Sequence, residues 1–99
     1  MDGRIDNSVE NNKSLYKLIY IGFEKNDSYY VLGNSGLLKV SRFIYSIYLL
    51  INNVRTVNDI CKYIRQEQGF QKITDKEVEI ALQILENNGI ITRQWRNFC

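Results

Sequence analysis

The sequence predicts a small α+β domain, a three-stranded antiparallel meander followed by three helices in a winged helix-turn-helix-like order. Three observations carry this expectation. Short apolar runs at residues 15–23, 29–32 and 37–40 are separated by clusters of turn-forming residues. Helix-opening signals follow at Ser41, Thr56 and Thr74. The connections between the runs are too short for crossovers, so neighbouring strands must pair antiparallel.

Leu15 to Phe23 reads as the first strand. Ile19, Ile21 and Phe23 share one face and Tyr16, Leu18 and Tyr20 the other, so it is expected to be covered on both sides. Lys25-Asn26-Asp27-Ser28 is a turn cluster, because Asn and Asp tolerate left-handed backbone. Tyr29 to Leu32 is the second strand, Gly33-Asn34-Ser35-Gly36 a second turn, and Leu37 to Val40 the third strand.

Helix one runs from Arg42 to Ile51 behind a Ser41 cap and is apolar nearly all round, which marks a central helix. Helix two opens on Thr56-Val57-Asn58-Asp59, a capping box with Asp in place of Glu. It is expected to run to Gln68 with Gly69 as its left-handed stop. Val57, Ile60, Cys61 and Ile64 form its apolar stripe. Helix three opens on the full box Thr74-Asp75-Lys76-Glu77 and ends at Asn87-Asn88-Gly89. Ile90 to Trp95 reads either as a short terminal strand or as a tail folded back. Residues 1–13 form a polar arm, 14–95 the domain and 96–99 a tail.

At 99 residues and 44% apolar content, the chain makes one domain whose core needs no disulfide or metal. Its two cysteines are Cys61, on a core stripe, and Cys99, the last residue; this is no disulfide framework and suits a reducing cytoplasm. No apolar run is long enough to span a membrane, and the polar arm has no secretory h-region.

Thirteen Lys and Arg against eleven Asp and Glu give a net charge of +2, a faint footprint for nucleic acid. Helix three carries Asp75, Glu77, Glu79 and Glu86 against Lys76, so four carboxylates less one ammonium leave −3. Phosphate would repel such a helix, which disfavours DNA recognition. Arg93, Trp95 and Arg96 make only a small basic-aromatic patch. The chain has no His, no phosphate-cradling glycine loop and no activated nucleophile, so the reading is of a non-enzyme without a cofactor or metal. The tyrosines read as structural, with aromatic bodies packed and hydroxyls reaching water.

Two features point to binding. On helix three, Val78, Ala81, Leu82 and Leu85 fall within one core arc, whereas Ile80 and Ile84 lie one turn apart outside it. They form either a groove wall or a face covered by the sheet or the terminal strand. The third strand is apolar and last in the meander, with only Lys39 to guard its edge. Such an edge beside an apolar helix is the geometry for strand addition by an extended peptide. The N-terminal arm or a second copy of the chain, giving a homodimer, could also cover it.

Residues 29–91 resemble the PqqD-like family, the recognition elements of ribosomally made, post-translationally modified peptides. The matching text is Gly36-Leu37-Leu38-Lys39-Val40-Ser41, then Ile47 through Ile60 with its Thr56-Val57-Asn58-Asp59-Ile60 opening of helix two. Val78, Leu82, Leu85 and the Gly89-Ile90-Ile91 ending complete it. Family members often carry a Leu-Asn-like pair entering helix one, where this chain has Lys39-Val40-Ser41.

The resemblance implies a leader peptide held as an extra strand beside strand three. Leu37, Leu38, Lys39 and Val40 would contribute through the backbone edge, and Ile80, Ile84 and Glu77 from helix three. It implies a precursor peptide and a peptide-modifying enzyme or leader peptidase as partners. The alternatives are a winged-helix DNA-binding transcriptional regulator and a subunit-docking adaptor.

Overall fold

The computed structural model describes residues 13–94. The expected residues 1–12 of the arm, the 96–99 tail, the Trp95 and Arg96 part of the basic patch and Cys99 lie outside them. The domain is α+β, with antiparallel strands and three helices. In chain order the elements are β1 (Ser14–Lys17), β2 (Gly22–Lys25), β3 (Ser28–Gly33), β4 (Gly36–Val40), α1 (Arg42–Leu50), α2 (Val57–Ile64), α3 (Asp75–Asn87) and β5 (Ile91–Gln94).

The expected first strand is not continuous. Its start, β1, pairs antiparallel with β5, Lys17 opposite Ile91, while its end, β2, pairs with β3. Between them Leu18 and Ile19 both donate to the Ile90 carbonyl, at 2.8 and 3.3 Å, and the chain bends from one sheet to the other. Leu18, Tyr20 and Ile21 are consequently exposed rather than covered. The terminal strand reading of residues 90–95 is the one realised, as β5.

The meander itself is the sheet β2-β3-β4. Asn26 and Asp27 both adopt positive φ, the type I′ turn that matches strand twist. The face carrying Val31, Leu38 and Val40 turns inward, where β3 and β4 meet α1. Phe23 and Tyr30 stack on the opposite face at 5.4 Å, and Leu37 lies on that face too.

All three caps form as expected: the side chains of Ser41, Thr56 and Thr74 accept from Ile44, Asp59 and Glu77 N–H, and both capping boxes close. Helix α2 is shorter than its sequence signals. It ends at Ile64, where the backbone tightens into three-residue turns, Gln66 N–H donating to Tyr63 O and Glu67 N–H to Ile64 O; the Arg65 side chain donates from Nε to the Ile73 carbonyl and pairs with Asp75. Gly69 keeps its positive φ, but in the turn that follows rather than at the helix end.

The core is one cluster. Ile47 of α1 lies at its centre with Ile60 and Ile64 of α2, Val78, Leu82 and Leu85 of α3, and Leu15 and Ile91 from the two-stranded sheet. Tyr48 is buried, and its hydroxyl donates to the Ile19 carbonyl at 3.1 Å rather than reaching water. Lys17 Nζ sits 4.3 Å above that ring, and burial lowers its pKa. Gly22 is required here, since a Cβ would come within 2.8 Å of Tyr48 Cε2. Among the described residues no helix is long and apolar enough to cross a membrane.

Candidate functional site

The site forms where the start of α1, which β4 leads into at Ser41, meets one flank of α3. At one end, the Asn34 N–H of the β3–β4 turn donates to Asn88 O just past α3, at 2.9 Å. At the other end, Ser41 and Glu77 line a common cavity. Strand β4 therefore runs antiparallel to α3, from its C-terminal end toward its first turn. Gly89, with φ of +71° and Asn34 against it, lets the two chain segments close here.

The cavity, of about 200 Å³, is lined by Phe43 and Ile44 of α1 and Ile80, Ala81 and Ile84 of α3, with Ser41 and Glu77 as its polar members. Three of the residues expected from sequence, Glu77, Ile80 and Ile84, thus share one depression, whereas Leu37, Leu38, Lys39 and Val40 do not line it. Ile80 is 50% exposed, and Ile84 is half-buried. Ile80 is thus open to solvent, and β5 runs along the other flank of α3 through Arg93.

Ser41, Phe43 and Ile44 were not singled out. Their signal was the all-round apolar character of helix one, which left a surplus of large side chains beyond what one core face needs. Phe43 is fixed against Phe70 at 5.3 Å, and the Arg42 guanidinium covers the same ring at 4.3 Å and donates to Gln68 O.

Among the described residues, β4 pairs only with β3, so its other edge is unpartnered. The hydrogen-bond parity identifies which groups face outward. Leu32 N donates to Ile21 O on the β2 side, so Tyr29, Val31 and Gly33 of β3 bond toward β4. Their partners Val40, Leu38 and Gly36 bond inward. The N–H and C=O groups of Leu37 and Lys39 remain on the free edge. Of the four β4 residues expected from sequence, two therefore offer backbone at the edge, whereas Leu38 and Val40 contribute inward-facing side chains.

Chemically the site offers strand hydrogen bonds and an apolar floor. Among the described residues, no cluster of His, Cys, Asp and Glu could hold a metal. Cys61 is buried on α2; burial first, and the Asp75 carboxylate second, push its thiol up to about 11. Because the folded chain holds this proton more tightly than an ordinary thiol, which titrates near 9.0, the stability this group contributes is fully present below about pH 9 and declines as the pH rises toward about 11. Denaturant titrations at pH 8 and 10.5 should show this loss in the wild type and a smaller one in Cys61→Ala. An equal loss in both would assign the alkaline limb elsewhere.

No family model, curated protein or solved structure matches the chain.

Proposed function

We propose that this domain is a non-catalytic peptide chaperone with a winged-helix-like arrangement. It captures the leader segment of a ribosomally made precursor peptide as a strand added to β4. The reading is carried by one observation: an unpartnered strand edge leads, through Ser41, to a shallow apolar cavity that contains both off-arc isoleucines of α3. The sequence resemblance to the PqqD-like family supports it.

Backbone bonds to Leu37 and Lys39 supply general affinity, and the cavity takes leader side chains. Apolar burial at about 25 cal/mol per Å², less ordering costs, is consistent with roughly micromolar binding. Tethering the leader raises the effective concentration of the attached core peptide at a modifying enzyme or leader peptidase. The setting is cytoplasmic.

The test is an amide-shift titration with short peptides encoded beside the gene. Shifts at Leu37, Lys39 and residues 80–84 are expected. Salt-sensitive shifts with duplex DNA, and none with peptides, would favour the transcriptional regulator instead. An added strand absent from the bound state would favour docking of a folded subunit.

Ile84→Asp should weaken peptide binding by at least about tenfold, since it places a charge on an apolar floor. Its melting temperature should fall little, because Ile84 is outside the core cluster. A large thermal loss would mark Ile84 as core and remove it from the binding floor.

A further inference from the structure

Resting on the strand-addition reading, we propose that the groove reads charge. It selects an extended segment of the pattern basic-x-apolar-x-apolar, in which the lysine or arginine meets Glu77.

The spacing argument comes from α3. Ile80 and Ile84 are four residues apart, about 6 Å along a helix axis. Alternate residues of a strand repeat every 6.7 Å or about that, so two same-side residues of an added strand match the two isoleucines. Glu77 lies about 4.5 Å beyond Ile80, nearer the α3 start. The next same-side residue of the strand reaches it readily if its side chain is long.

The charge argument comes from the lining. Glu77 is the cavity's only ionisable side chain. Its Oε1 accepts from Thr74 N and Oγ1 at 3.0 and 3.1 Å, while Oε2 has no partner among the described residues. Of the charges nearby, Arg42 lies over Phe70, Asp75 pairs with Arg65, and Lys39 stands with Tyr30 on the face of the sheet turned away from α3, while Lys76 is exposed on the helix. The positive end of the α3 dipole is already met by Asp75 and the closed capping box. An ammonium or guanidinium therefore complements this end of the groove, and a carboxylate does not.

Direction follows from β4. It runs toward the Glu77 end, and antiparallel pairing is the more stable, so the ligand enters with its basic residue N-terminal to the apolar pair.

The experiment titrates labelled heptapeptides, Thr-Arg-Thr-Val-Thr-Leu-Thr and its Gln and Asp versions at the second position, into the full chain. Anisotropy gives affinity and amide shifts give location. The Arg peptide should bind about fivefold more tightly than the Gln peptide, as suits a half-exposed ion pair, and the Asp peptide should bind least. Glu77→Gln should erase the preference while leaving the fold intact, because Gln closes the same capping box. Glu77→Lys should transfer the preference to the Asp peptide. Equal affinities for the Arg and Gln peptides, with shifts at Leu37 and Lys39, would overturn charge selection and leave strand addition standing. No shifts at that edge with any peptide would overturn both.

Discussion

Arg93→Ala is expected to cost the domain about 2–3 kcal/mol, lowering its melting temperature by roughly 10 °C or more. The arginine side chain is only 7% exposed, although it stands on a terminal strand. Its Nε donates to Glu86 at 2.9 Å, Nη1 donates to Glu79 at 2.9 Å, and Nη2 bonds both carboxylates. Burial alone would lower its pKa, but hydrogen bonds to Glu79 and Glu86 outweigh this and raise it. The two glutamates lie two turns apart on one stripe of α3 with the guanidinium between them, and Gln83 Nε2 also donates to Glu79 at 3.3 Å.

Removing Arg93 leaves two partly buried like charges without their shared cation and removes the polar tie of β5 to α3, with Ile91 still packed in the core. A fully buried pair loses about 3–5 kcal/mol on losing one partner. The figure here is smaller because Glu79 and Glu86 are 37% and 32% exposed. The triple variant Arg93→Met, Glu79→Leu, Glu86→Leu should recover most of the loss, since no charge is then stranded. Chemical denaturation of the three proteins decides the matter. A loss below about 0.5 kcal/mol would reduce the triad to an ordinary surface pair.

What was legible in the sequence divides along locality. The caps at Ser41, Thr56 and Thr74 were readable because a hydroxyl and an N–H three residues on make their own bond. The core faces of α2 and α3 were readable from helical period alone, and so was the odd position of Ile80 and Ile84. Arg93, by contrast, looked like part of a weak basic patch, because nothing nearby in sequence announces Glu79 and Glu86 as its partners.

The same cause hid the break in the first strand. Ser14 to Lys17 pair with residues 74 to 80 positions away, a long-range choice that leaves no mark in the run of apolar residues. The end of α2 failed for a related reason. Gly69 is a true left-handed position, but the backbone has already tightened into i→i−3 turns at Gln66 and Glu67, which no sequence signal marks. The alternation of edge groups along β4 also depends on the β2–β3 register, so sequence could name the strand but not the two residues whose backbone lies free.

That alternation yields a paired test of strand addition. Lys39→Pro should abolish peptide capture while the domain stays folded, and Leu38→Pro should unfold it or nearly so. Lys39 N–H points away from β3, so proline there removes no ladder bond, and edge strands tolerate the ring. The restriction proline imposes on its predecessor favours extended backbone, which Leu38 already has as a strand residue. An incoming strand, however, loses a donor and meets the ring where its carbonyl should lie.

Leu38 N–H points toward Val31, so Leu38→Pro breaks the middle of the β3–β4 ladder and withdraws a core-facing side chain. The expected cost is about 3 kcal/mol or more. Lys39→Ala separates the effect of charge from that of the backbone and should retain most of the binding. Circular dichroism melts and peptide anisotropy read both sides of the comparison. Retained peptide affinity in a folded Lys39→Pro protein would show that ligands sit in the cavity without adding a strand. A shift from dimer to monomer in the same variant without peptide would instead identify the edge as a contact between copies of the chain.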